Sequence, residues 1–121
     1  MKSVLLIDDS SVQRTVLKSY FQKYFPSVAI SFGTDGQSLV RLYEEHTPDL
    51  TVIDLHMPYI SGDEAAMDLL SVYPDAQIII SSAADSPEDF DRISRAMLHG
   101  VAGYLIKPFG YREFIETIAE L

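Results

Sequence analysis

Ser3-Val-Leu-Leu-Ile-Asp-Asp-Ser10 is the stretch that decides the fold. Five residues of mostly apolar, strand-forming character run without alternation into two aspartates and a serine. An unbroken apolar run this short reads as a strand buried on both faces, as in a parallel sheet covered by helices. The serines that follow can cap a helix, because a serine oxygen accepts an orphan N–H of the first turn. A buried strand that ends in acid and passes at once into a helix is the opening of a βα unit.

The same unit recurs along the chain. Further apolar runs lie at Val28 to Phe32, Leu50 to Ile53, Gln77 to Ser81 and Ala102 to Ile106. Between them stand segments with helical period. From Val12, the positions Val16, Leu17, Tyr20, Phe21, Tyr24 and Phe25 follow a 3.6-residue repeat that Pro26 ends. Asp35 to Glu45 carries Leu39, Val40, Leu42 and Tyr43, and stops before Pro48. Ser61-Gly-Asp-Glu64 has the form of a capping box, with Ala65, Ala66, Leu69 and Leu70 beyond it and a stop at Pro74. Ser86-Pro87 sets a cap and then a proline at the first helical position; Ile93 and Met97 are read as core, and Gly100 as the C-terminal cap. Tyr111 to Leu121 forms the last helix, with Phe114, Ile115 and Ile118 inward. Strands alternating with helices predict an α/β domain over residues 1–121, a doubly wound (βα)5 with a five-stranded parallel sheet. The expected strand order is the flavodoxin-like 2-1-3-4-5.

Composition narrows function by exclusion. Nine Lys and Arg against 18 Asp and Glu leave a net charge of −9. That balance lacks the basic face that nucleic acid requires and disfavours an anionic membrane surface. There are no cysteines, so disulfides, thiolate metal sites and cysteine nucleophiles are out. No run is long enough for a membrane span and no leader is apparent, so a cytoplasmic location is expected.

In an open parallel sheet, ligands bind outside the carboxyl ends of the strands. There the first strand ends in Asp8-Asp9, the third in Asp54, the fourth in Ser81-Ser82 and the fifth in Lys107-Pro108. The topology gathers these groups at one edge. Carboxylates crowded together repel and need a cation to stay ionised; with no Cys or His cluster beside them, the donors are hard oxygens suited to Mg2+. A carboxylate, a metal, a hydroxyl and an ammonium together suit phosphoryl transfer onto the carboxylate. Two other classes are weighed. A phosphatase working through an aspartyl-phosphate would want a second carboxylate, which Asp54-Leu-His56 lacks. A nucleotide-binding module would want glycines in the loop Asp8 to Val12, which has none.

Taken together, Leu6-Ile-Asp-Asp-Ser10, Val52-Ile-Asp-Leu-His-Met-Pro58 with Gly62, Ile80-Ser-Ser-Ala83 and Gly103-Tyr-Leu-Ile-Lys-Pro-Phe109 resemble the receiver domain of two-component response regulators, over essentially the whole chain. The resemblance implies a regulatory protein and not a conventional enzyme. It implies Asp54 as phosphoacceptor, with Asp8, Asp9, Asp54 and the backbone carbonyl of His56 about a Mg2+ ion. Ser82 is implied as the switch hydroxyl, Lys107 as the phosphate-binding lysine and Tyr104 as the aromatic that moves with the hydroxyl. Lys107-Pro108 is similar to a bond that is cis in such domains. The implied phosphodonor is a sensor histidine kinase or a histidine phosphotransfer protein, meeting the first helix near Val12 to Leu17. The implied output partner, output domain or second copy would use the face of the fourth helix, fifth strand and fifth helix. A pseudo-receiver that binds without being phosphorylated is the milder alternative, and the intact acidic, hydroxyl and lysine set speaks against it. His56 and Ala84 stand two residues after Asp54 and Ser82, where neighbours tune the lifetime of the acyl phosphate. The histidine side chain is expected at the solvated rim of the pocket.

Overall fold

The computed structural model describes residues 1–121. In chain order the elements are β1 (Ser3–Ile7), α1 (Ser11–Tyr24), β2 (Ala29–Gly33), a 3-10 turn (Gly36–Ser38), α2 (Leu39–His46), β3 (Leu50–Asp54), α3 (Gly62–Val72), β4 (Ile78–Ser82), α4 (Pro87–Leu98), β5 (Gly103–Ile106) and α5 (Tyr111–Ala119). All pairings are parallel and the strand order is β2-β1-β3-β4-β5. This is the flavodoxin-like doubly wound arrangement, with the switch point between β1 and β3.

Alternation within the strands builds two cores. Leu5, Ile7, Ile53, Ile78 and Ile80 face α2, α3 and α4, while Val4, Leu6, Val52, Ile79 and Leu105 face α1 and α5. Every residue of β3 and β4 is buried, as unbroken apolar strands at the centre of a covered sheet must be. On the second face, Phe21 of α1 meets Phe114 of α5 edge-to-face, with ring centroids 4.7 Å apart and planes at 88°. Such a pair is worth about 0.5–1.5 kcal/mol beyond its buried area.

The helix starts follow local chemistry. The Ser10 hydroxyl accepts the Gln13 N–H and the Ser86 hydroxyl accepts the Asp89 N–H, with Pro87 opening α4. Three expectations need correction. Asp35 caps the 3-10 turn and not an α-helix, so α2 begins only at Leu39. Ser61 makes no capping hydrogen bond; its Oγ is buried and unpartnered. Met97 lies at the surface, because Ile93 and Ala96 occupy the stripe of α4 that meets the sheet.

Candidate functional site

Parallel pairing carries the ends of β1, β3, β4 and β5 to one edge. Asp54 closes β3 in register with Ser81 of β4, and the Lys107 N–H donates to the Ser82 carbonyl at 2.7 Å. Asp8, Asp9, Asp54, Ser82 and Lys107 are thereby brought to the same edge. Asp8 and Asp54 are buried and Asp9 is exposed, yet one carboxylate oxygen from each lies within 4.8 Å of the others. Three hard oxygen donors at that spacing suit a single Mg2+ ion.

Lys107 binds this cluster directly. Its Nζ donates to Asp54 Oδ1 at 2.9 Å and to Asp8 Oδ2 at 3.1 Å. Asp8 Oδ1 also accepts the Ser10 N–H at 2.9 Å, which couples the pocket to the start of α1. The electrostatics are lopsided. Burial pushes the Asp54 carboxyl above the usual carboxylate range; Lys107 opposes this, and the charges of Asp8 and Asp9 add to it. Burial works against the Lys107 ammonium, but its hydrogen bond to Asp54 and the charges of Asp54 and Asp8 outweigh that and raise its pKa. The two shifts agree physically: the lysine meets only attraction here, and Asp54 meets one cation and two further carboxylates.

Backbone packing explains why Asp54 stands where it does. A Cβ on Gly62 would fall 2.1 Å from the Asp54 carbonyl oxygen, so only glycine lets the start of α3 seat against β3. The Gly62 N–H donates to the Leu55 carbonyl at 2.8 Å and closes the loop. The Lys107-Pro108 bond is cis. Ser82 is fully buried, and its hydroxyl accepts the Ala84 N–H at 2.9 Å. Ala84 has φ 52°, so the loop leaving β4 turns through left-handed backbone at once. Tyr104 stands apart from the carboxylates, on the outer surface between α4 and α5.

Two side chains belong to this region that the sequence reading does not assign. Arg14, on α1, donates from Nη1 to the Asp8 carbonyl at 2.5 Å. Its signal was its spacing: four residues after the capping Ser10, it lies on the helix face above the end of β1. Asp89, on α4, holds the expected rim residue His56 through a 2.9 Å contact between Oδ1 and Nε2. Asp89 Oδ2 accepts the Asp85 N–H at 3.1 Å, so one buried carboxylate ties together the loop after Asp54 and the loop after Ser82. The hydrogen bond with His56, followed by its charge and the hydrogen bonds from Asp85 and Ser86, holds the Asp89 pKa low against the effect of burial.

Comparison with known proteins agrees with this geometry. Residues 4–119 match the family model of the response regulator receiver domain. The chemotaxis protein CheY of Thermotoga maritima is 30% identical over 97% of this chain and 94% of its own length. The transcriptional regulatory protein DegU of Brevibacillus brevis is also 30% identical, over 95% of this chain but 48% of DegU. The chain thus spans nearly all of one relative and about half of the other. CheY4 of Vibrio cholerae has the same fold, with a TM-score of 0.83 at 24% identity, covering 100% of this chain and 99% of that one. CheY from the CheX-CheY-BeF3-Mg2+ complex of Borrelia burgdorferi gives 0.84 at 21% identity, covering 97% and 86%. No helix is long and apolar enough to cross a membrane. The chain belongs to the response regulator receiver domains of two-component systems.

Proposed function

We propose that the chain is a phosphorylation switch that accepts a phosphoryl group on Asp54 from a phosphohistidine donor, a sensor histidine kinase or a histidine phosphotransfer protein. The observation that carries this reading is the Lys107 ammonium bridging Asp54 and Asp8 in a pocket that Asp9 completes. In the step, an Asp54 carboxylate oxygen attacks phosphorus. The donor's N–P bond breaks and its electron pair returns to the imidazole. Asp54 is left as an acyl phosphate, and attack by water later releases inorganic phosphate and restores the carboxylate.

The side chains divide the work. Asp8, Asp9, Asp54 and the His56 carbonyl would hold Mg2+, which supplies positive charge to the phosphoryl oxygens. Lys107 contacts Asp54 already, so the charge on the equatorial phosphoryl oxygens meets an ammonium placed in advance. The Ser82 hydroxyl keeps its own proton to donate while it accepts the Ala84 N–H, and turning it toward the phosphoryl group releases that N–H. Tyr104 follows on β5, and the face of α4, β5 and α5 passes the change to an output partner. A coupling of about 1–3 kcal/mol suffices to shift such a two-state equilibrium. The domain catalyses its own acceptance and hydrolysis and turns over no other substrate.

Intact mass after incubation with acetyl phosphate tests the reading. One phosphoryl adduct is expected, requiring Mg2+ and absent in Asp54→Asn. An adduct that persists in Asp54→Asn contradicts the assignment, and no adduct in the wild type favours a binding-only domain.

A further inference from the structure

A groove of about 420 Å³ runs between α4 and α5 with β5 as its floor. Its apolar part includes Met97, Tyr104 and Phe109, and its wall on α5 carries Glu113, Glu116 and Glu120. Met97 on α4 is 38% and Tyr104 on β5 46% exposed, so the groove offers apolar surface to a partner. The lining holds three carboxylates and no lysine or arginine. Glu116 has one cationic neighbour, Arg112 at 3.7 Å, and both side chains are well exposed. Exposed pairs of that kind are weak and give way readily to a better partner.

From this groove we infer that the output face binds a basic amphipathic helix of a partner protein. The inference rests on the switch reading above and adds the chemistry of the partner. Three features set that chemistry. The glutamates at positions 113, 116 and 120 are spaced i, i+3, i+7, so they form one stripe about 10 Å long along α5 and its C-cap residue. A helix laid along the stripe would present lysines or arginines at the same spacing, with an apolar edge turned down onto Met97 and Tyr104. Methionine adapts its shape to different apolar partners, which suits an α4 wall that must accept another helix. A second copy of this chain fits poorly, because each copy carries a net charge of −9 and would bring its own glutamate stripe.

The probe is a labelled 14-residue amphipathic helix of leucine and lysine, with a leucine–glutamate counterpart as control. Binding is followed by fluorescence anisotropy near 0.15 M salt, with and without Mg2+ and beryllofluoride as phosphoryl mimic. The lysine peptide is expected to bind and the glutamate peptide not to. Glu116→Lys with Glu120→Lys should weaken binding at least tenfold. Asp68→Lys with Asp75→Lys, the same charge change outside the groove, should change it less than twofold. Equal losses from both pairs overturn the inference, since the peptide would then read only overall charge. So does a beryllofluoride-loaded dimer in sedimentation that Met97→Glu dissolves, which gives the groove to a second copy. Binding that depends on Glu116 and Glu120 but ignores beryllofluoride supports the basic partner, and the switch reading is then the part that fails.

Discussion

Lys107 Nζ lies 2.9 Å from Asp54 Oδ1 in a pocket that also holds Asp8 and Asp9, and the same ammonium reaches Asp8 Oδ2 at 3.1 Å. Burial and its acidic neighbours hold the Asp54 pKa above the usual range despite that contact. Lys107→Met removes the cation and leaves the carboxylates facing one another. The expected cost is about 1–3 kcal/mol in urea unfolding without divalent metal. Saturating Mg2+ should recover most of it, because binding only the folded state raises stability by mass action. Phosphorylation of this variant by acetyl phosphate should remain slow even in Mg2+.

Gly62 allows α3 to touch the backbone of Asp54. Gly62→Ala places a methyl group 2.1 Å from the Asp54 carbonyl oxygen, and backbone must shift to admit it. Roughly 3 kcal/mol of lost stability is expected. The rate of phosphorylation should fall as well, since the displaced group is the one that carries Asp54. A variant with wild-type stability and rate would show that the loop has slack.

His56 and Asp89 bind the two loops that flank the pocket. His56→Ala removes the largest of the hydrogen bonds that stabilise the buried Asp89 carboxylate, at a cost of about 1–2 kcal/mol. The effect should be local. Hydrogen exchange at the amides of residues 85–90 should quicken, while the amides of β1 and β3 stay protected.

Asp49 supplies a pH test away from the pocket. Its Oδ2 accepts the Lys2 N–H at 2.7 Å and the Ser3 N–H at 3.1 Å, and these bonds hold its pKa below the ordinary 3.8. A pKa lowered by folding means that the unfolded chain binds more protons in this range, so stability rises with pH there. The contribution is complete above the unfolded value of 3.8 and is lost as pH falls through the lower native value. The stability difference between wild type and Asp49→Asn should therefore be flat at neutral pH and shrink below 3.8, as read by urea titrations across that range.

How far the sequence could be read depends on which force fixes each feature. The sheet order and the gathering of Asp8, Asp9, Asp54, Ser82 and Lys107 were legible because unbroken apolar strands and parallel crossovers leave few topologies. Strand limits moved by one residue, as at β2, where the apolar run starts at Val28 but pairing starts at Ala29 and extends to Gly33. Met97 was misread because it falls in the helical period; Ala96, small enough to lie against the sheet, took the inner position. Ser61 looked like a cap, but the contact of Gly62 with Asp54 fixes how α3 begins. The tie between His56 and Asp89 was not legible, since it joins two loops whose approach no local pattern encodes.

Chemical reduction tells directly whether Asp54 itself takes the phosphoryl group. Borohydride reduces an acyl phosphate of aspartate to homoserine, and peptide mapping then locates the converted residue. After treatment with acetyl phosphate and Mg2+, homoserine is predicted at position 54 and nowhere else. Homoserine at position 8 or 9, or a phosphorylated protein that yields none, would put the phosphoryl group on a residue other than Asp54.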